Sequence, residues 1–259
     1  MPRLSVTIIT KNEEAQIEGA IASVAWADEI LVVDSHSTDR TVALAQAAGA
    51  RVVVRDWPGY IAQKNFAAGE ATHDWILSLD ADERVTPELA AEIRRALEQP
   101  AHAAFTCPRL TWYLGRWING TDWYPDTQTR LYDRRTANWS GALVHESLSV
   151  RGTRGNLAGE LHHYAYSSIG DHLDTIDRYT ALAARQMFDA GRRASTAQVV
   201  FHPPLAFLRN YVAKGGFRLG TVGFVVSALN TYYVFLKFAR LWELQNRLAE
   251  APTTTADGG

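Results

Sequence analysis

A single cysteine, Cys107, in 259 residues excludes an internal disulfide. That favours a reducing compartment and makes Cys107 a small buried residue before it is a nucleophile. An excess of charge is also missing. Lys and Arg number 26 against 28 Asp and Glu, a formal net charge of -2, which excludes a surface that tracks nucleic acid throughout. The opening Met-Pro-Arg-Leu-Ser-Val-Thr holds no apolar signal segment, so no secretion is expected. Repeats and long low-complexity tracts are absent, and only 251–259 has the composition of a disordered tail. What is present is an ordinary globular composition, 47% hydrophobic, enough for one substantial core or a core plus a smaller appended unit.

The first hundred residues alternate short apolar runs with helical patterns. Runs at Leu4 to Ile9, Glu29 to Val33, Arg51 to Val54 and Trp75 to Leu79 are separated by helical stretches at Ile17 to Val24, Val42 to Ala48 and Ile61 to Ala68. Val6-Thr-Ile-Ile and Ile30-Leu-Val-Val are nearly continuous in apolar character, as parallel strands covered on both faces require. Pro87 opens a further helix, with Thr86 as its N-cap and Leu89, Ile93 and Leu97 on one face. The fold class predicted is α/β, a mostly parallel Rossmann-like sheet with helices on both faces and a C-terminal helical, amphipathic extension.

Ligands of such sheets bind outside the carboxyl ends of the strands. Three strands end there in polar groups: Thr10-Lys-Asn-Glu-Glu14, Asp34-Ser-His-Ser-Thr-Asp39 and Asp80-Ala-Asp82-Glu83. On a continuing strand Asp80 and Asp82 face the same way, so one hard cation, Mg²⁺ or Mn²⁺, could feel both and still keep positions for substrate phosphates. The plainer reading is that they cap the turn before the Pro87 helix. Asp39 reads as a turn and cap residue, and Glu14 as a first-turn acid favoured by the helix dipole.

From about Phe105 the texture becomes aromatic and turn-rich, with Trp112, Trp117, Trp123-Tyr124 and Trp139. Flat aromatic rings suit the C–H faces of sugars, and they suit a hydrophobic lid equally well. A helical pattern returns at Asp171 to Met187. Beyond it, Leu219 to Leu236 is uncharged but too rich in Gly, Thr, Ser and Asn for a good membrane span. Projected on a helix, Lys237, Arg240, Glu243 and Arg247 share one face, and Val234, Phe235, Phe238, Leu241 and Trp242 the other. With Glu243 the one acid from Phe201 to Arg247, this stretch suits an anionic membrane surface or, alternatively, packing on the catalytic domain or on a second subunit.

Thr10-Lys-Asn-Glu-Glu14, Asp34, Asp80-Ala-Asp82-Glu83 and Val144-His-Glu146 together resemble the inverting family 2 glycosyltransferases of GT-A fold. Gln63-Lys-Asn-Phe66, Arg130-Leu-Tyr-Asp-Arg134, Trp139-Ser-Gly141 and the tail Phe235 to Glu243 make the chain similar to the lipopolysaccharide inner-core β-1,4-glucosyltransferases. The resemblance covers nearly the whole chain. It implies a catalytic domain over 1–200, a basic aromatic extension over 201–250 that associates with membrane or dimer partner, and the tail 251–259.

The resemblance further implies a UDP-sugar donor, with Thr10 in the nucleotide-sugar site, Glu13 and Asp34 on the nucleoside, Lys64 at the diphosphate and Asp80 at the ribose or a metal-bound water. Asp82 would bind the cation. Of His162 and His163, which alternate faces on a strand, His163 is preferred as its second ligand. Glu146 would be the general base, and Trp123, Tyr124 and Arg130 would meet a lipid-linked saccharide acceptor. The enzyme would be cytoplasmic and peripheral on the inner face of the membrane. One departure is that Asp34 is followed by Ser35, where the family often has a second acid. The competing classes are a nucleotidyltransferase, whose glycine-rich N-terminal loop this chain lacks, and an inactive membrane adaptor on the same scaffold.

Overall fold

Strand alternation decides which side chains meet. In a computed structural model, which describes residues 2–142 and 145–247, Leu4, Val6 and Ile8 of β1 (Leu4–Thr10) point to one face of the sheet. Their neighbours there are Trp75, Leu77 and Leu79 of β4 (Trp75–Asp80), Ile17 and Ile21 of α1 (Ile17–Ser23), and Leu89, Ile93 and Leu97 of α4 (Pro87–Glu98). Ile9, Ile76 and, from β2 (Glu29–Asp34), Leu31 and Val33 point to the other face, against Ala67 and Ala68 of α3 (Tyr60–Glu70). Both faces are covered, which is why these strands tolerate hydrocarbon at successive positions. The Thr86 hydroxyl accepts from the Leu89 N–H at 3.2 Å, capping α4 behind Pro87 as expected.

The remaining elements are α2 (Thr41–Ala47), β3 (Arg51–Val54), β5 (Glu83–Val85), β6 (Ala104–Tyr113), β7 (Arg116–Ile118), β8 (Asp126–Asp133), β9 (Ala137–Ala142), β10 (His145–Val150), β11 (Arg154–Asn156) and β12 (Leu161–His163). The large sheet has the order β3-β2-β1-β4-β8-β6-β12-β5, with β7 and β11 also on β6. Its first four strands are mutually parallel, whereas β8 runs antiparallel to both β4 and β6, and β5 antiparallel to β12. β9 and β10 form a separate antiparallel hairpin. The order reverses at β1, whose flanks are β2 and β4, so the crevice at its carboxyl end is the topological switch point.

The chain divides into two compact units, one of Met1–Asn119 with Trp123–Ala165, the other of Gly120–Asp122 with Tyr166–Gly259. The division falls near 165, not at the expected 200. The physical reason is that α5 (Ile169–Asp189) buries Ala184 with Phe238 and Leu241 of α7 (Gly220–Arg247). Between them come α6 (Thr196–Leu208), a wide helical turn at Arg209–Ala213 and a tight one at Gly216–Leu219. A side chain at Gly223 would place its Cβ 1.9 Å from the Gly216 carbonyl, so glycine is required where α7 passes this turn.

The helical face assigned to α7 needs correction. Arg240 donates to the Asp177 carboxylate and to Thr180 Oγ1, while the Lys237 ammonium lies 5.1 Å from the Phe238 ring centroid. Burial, then Arg192 and Arg209, pull the Lys237 pKa down. Phe238 and Leu241, expected on a membrane-facing side, are core residues. The side chain of Arg247 and the tail 251–259 lie outside the described residues, as does Val144.

Candidate active site

Register brings the three polar strand ends together: Thr10 pairs with Asp34 across β1 and β2, and Ile9 with Asp80 across β1 and β4. The loop after β1 is tied to the loop after β2. Asn12 accepts from the Thr38 N–H at 2.8 Å, the Ser37 hydroxyl accepts from the Asn12 N–H at 2.8 Å, and the Thr41 hydroxyl accepts from the Glu13 N–H at 2.7 Å. Asp34, expected at a nucleobase, is fully buried and accepts from the Ser37 N–H at 2.8 Å and hydroxyl at 2.5 Å, so its carboxylate shapes this loop. Asp39 accepts from the Thr41 N–H two residues on at 3.0 Å, the turn role the sequence suggests, while the N-cap position of α2 is Arg40.

Asp80 and Asp82 do not share one strand face. The strand stops at Asp80, and Asp82 lies in the turn before β5, so the period of two is broken between them. Asp80 keeps the parity of Ile76 and faces the side covered by α3 and the β9–β10 hairpin. There its Oδ1 is 3.2 Å from Lys64 Nζ, and its Oδ2 is 2.6 Å from an Arg130 Nη. Lys64 Nζ is in turn 3.4 Å from Glu146 Oε1 and 4.6 Å from the ring centroid of Trp139. Asn65 exchanges two hydrogen bonds of 2.9 Å with the backbone of Trp139, fixing α3 on the hairpin and so holding the buried Lys64 between the two carboxylates.

Arg130, expected at the acceptor, is instead only 3% exposed. Its guanidinium donates to Asp80 and, at 2.5 Å, to Glu83 Oε1, which also accepts from Arg109 at 3.0 Å. Glu83 Oε2 accepts from the Asp80 N–H at 3.1 Å. A buried charge persists only when paired, and this pairing is why Arg130 faces inward. Burial opposes ionisation of Asp80, but Arg130 and then Lys64 outweigh it and hold the carboxyl well below the usual range.

Asp82 has a different partner. Its Oδ2 is 3.3 Å from His163 Nε2, and His163 Nδ1 lies 3.3 Å from the Thr111 hydroxyl. His162 points to the opposite face of β12 and packs on Trp117, ring centroids 4.0 Å apart. Burial resists ionisation of Asp82, and the hydrogen bond and charge of His163 overcome it, lowering the pKa. Glu13, by contrast, is pushed up to about 7 by burial, by Asp82 and by Asp39, with Arg84 alone opposing. Among the described residues no three His, Cys, Asp or Glu converge as a complete ligand set. Asp82 and His163 fit a hard cation that takes its other ligands from water and phosphate, as Mg²⁺ commonly does.

Tyr124 donates its hydroxyl to Glu160 at 2.9 Å, and the ring of Trp123 lies 5.4 Å from that of Tyr113, so both are anchored at one side. Among the described residues the buried side-chain polar atoms without a partner are Thr10 Oγ1, Gln63 Oε1 and Arg130 Nε. All three belong to residues at or beside the carboxyl edge of the sheet, since the amide nitrogen of Gln63 donates to Ser35 at 3.0 Å. Unmade hydrogen bonds gathered at one place mark a site that stability did not shape. Sequence reasoning missed Glu83, Arg109 and Trp139 as parts of this site. The one available signal was Glu83 directly after two other acids.

Residues 5–151 match the family model Glycosyl transferase family 2. The chain is 33% identical over 257 residues to an uncharacterized glycosyltransferase of Rickettsia typhi, covering 94% of this chain and 88% of that protein. It is 31% identical over 250 residues to the lipopolysaccharide core biosynthesis glycosyltransferase LpsC of Rhizobium meliloti, covering 93% and 92%. Against the solved glucosyl-3-phosphoglycerate synthase of Mycobacterium tuberculosis with Mn²⁺, UDP and glucosyl-3-phosphoglycerate, the TM-score is 0.37 at 26% identity, over 43% of this chain and 44% of that one, too slight a likeness to bear on function.

Proposed function

The chain belongs to glycosyl transferase family 2, with the GT-A fold, and within that family we propose that it moves a sugar, glucose, with inversion from a UDP-sugar to a lipid-linked saccharide such as a lipopolysaccharide core heptose. The observation that carries this reading is Lys64 held between Asp80 and Glu146 at the switch point, beside the Asp82–His163 pair. The relative named for lipopolysaccharide core biosynthesis supports the acceptor class and, with it, a cytoplasmic enzyme peripheral on the inner face of the membrane.

In the proposed reaction Thr10 and Glu13 meet the nucleoside on a loop that Asp34 shapes, and Lys64 turns from the carboxylates to the diphosphate. Glu146 takes the proton of the acceptor hydroxyl as its oxygen attacks the anomeric carbon from the face opposite the leaving group. The bond from that carbon to the phosphate oxygen breaks, and the electron pair leaves with UDP. Asp82 and His163 would hold Mg²⁺ or Mn²⁺, which when bound stabilises negative charge on the leaving diphosphate. Trp123 and Tyr124 would offer the acceptor an apolar wall, and Arg130 positions Asp80 and Glu83 without touching substrate.

UDP release from a panel of UDP-sugars, with and without chelator, tests the reading. Glu146→Gln should bind donor with unchanged affinity and lose transfer by about 10²- to 10⁴-fold, since the amide keeps the shape and cannot accept a proton. Asp82→Ala should abolish the metal-dependent fraction. Full turnover in excess chelator, or loss of donor binding in Glu146→Gln, would overturn the assignment.

A further inference from the structure

Helix α6, Thr-Ala-Gln-Val-Val-Phe-His-Pro-Pro-Leu-Ala-Phe-Leu, has no Lys, Arg, Asp or Glu along its 13 residues. Phe201, Leu205 and Leu208 recur at i, i+4 and i+7 and so form one row, and Val212 stands exposed in the wide turn that follows. They are 61%, 61%, 55% and 57% exposed. Phe224 of α7 continues the surface, its ring 5.8 Å from that of Tyr211. Scattered exposed hydrophobics need no explanation, but a contiguous row marks an interaction surface.

We propose that this row inserts into the interfacial zone of a lipid leaflet bearing anionic headgroups, a proposal that rests on the lipid-linked acceptor proposed above. Charge selects that occupant. Lys214 and Arg218 are exposed in the turns between α6 and α7, and Glu243 is the one acid from Phe201 to Arg247 in the sequence. Cations bordering hydrocarbon match anionic headgroups above acyl chains, whereas a second copy of the same surface would set like charges together. Pro204, on the exposed side, has no N–H to give the carbonyl of Val200, which leaves that carbonyl to water or headgroups and favours the interface over the hydrocarbon centre.

Helix α7 is long and apolar enough to cross a membrane, spanning Gly216–Asn246 with its preceding turn. Its polar groups are engaged within the unit: Asn230 donates to Asn210 at 3.0 Å, Arg240 to Thr180 at 2.9 Å and Gln245 to the Ala194 carbonyl at 2.7 Å. In this bundle it supports the helix that carries the exposed row.

Flotation of the full-length protein with phosphatidylcholine vesicles, with and without phosphatidylglycerol, tests this. Wild type should bind the mixed vesicles at low salt and detach as salt rises. The triple variant F201S/L205S/L208S should bind at least about 10-fold more weakly, and K214Q/R218Q about 25-fold more weakly, at about 5-fold per cation. Phe201→Trp, a single change at an exposed site, should shift the protein's tryptophan emission to the blue on binding, which keeps the test open should the triple variant misfold. UDP release from soluble donor reads the catalytic assignment separately and should be unchanged in all of these variants. Indifference of wild type to anionic vesicles, equal binding by the triple variant, an emission spectrum of the Phe201→Trp variant that vesicles leave unmoved, or a dimer dissolved by the same substitutions without effect on vesicle binding would each overturn the proposal.

Discussion

In the first unit Lys64, Glu83 and Arg130 are almost wholly buried, whereas in the second Phe201, Leu205 and Val212 stand more than half exposed. Each group sits where solvation alone would not put it. The charges stay inside because they are paired in a chain, Arg109 to Glu83, Glu83 to Arg130, Arg130 to Asp80, Asp80 to Lys64, Lys64 to Glu146. The hydrocarbon row has no such internal match. A placement satisfied inside the fold should show in stability when broken, and one satisfied outside should show only when the outside partner is supplied.

The comparison breaks most visibly at Arg130. Arg130→Ala leaves Asp80 and Glu83 buried without their shared cation and should cost about 3–5 kcal/mol in urea unfolding. Arg130→Lys should recover part of it, as one ammonium cannot replace a fork. A loss under ~1 kcal/mol would show that the network contributes little.

Glu29 sharpens the same point in a less buried setting. Burial opposes its ionisation, but the hydrogen bonds from Ser5, Arg51 and Thr72 win and bring its pKa down to about 2 from 4.5. A folded-state pKa below the unfolded value gives stability that is present above about pH 4.5 and is lost as the pH falls towards 2. Glu29→Gln should therefore cost up to about 3 kcal/mol at pH 7 and nearly nothing at pH 2, flattening the acid limb of the stability profile. Parallel acid limbs for variant and wild type would remove Glu29 from the account.

The smallest effect is expected in the second unit. Leu205→Ser on the exposed row should change unfolding free energy by no more than about 0.5 kcal/mol, because little of the side chain is buried to begin with. A loss above ~1.5 kcal/mol would mean that the row is packed in solution and the contrast between the units is false.

Much of the first unit was legible because its signals are local. Nearly continuous apolar runs marked strands covered on both faces, Thr86-Pro87 marked the start of α4, and the polar strand ends marked the crevice. The carboxylates were harder. A period of two predicted that Asp80 and Asp82 share a face, and the turn at Asp82 cancelled it. On α7 the expected apolar face was split, Phe238 and Leu241 going to the core while Phe235 and Trp242 remained exposed, since periodicity does not say which side finds a neighbour.

Backbone geometry repeats every two or 3.6 residues, so in the first hundred residues element type and the residues at each strand end were determined by the sequence itself, whereas β6 to β12, in a stretch that read as turn-rich, were not. Partnership has no such period. Lys64 and Glu146 are 82 positions apart and Arg130 and Asp80 are 50, and only the order of strands across the sheet, with α3 and the β9–β10 hairpin covering one face, brought them within 3.4 Å and 2.6 Å. The low-dielectric interior then decided their roles, holding Arg130 as a buried support for Asp80 where the sequence alone had suggested a contact for the acceptor.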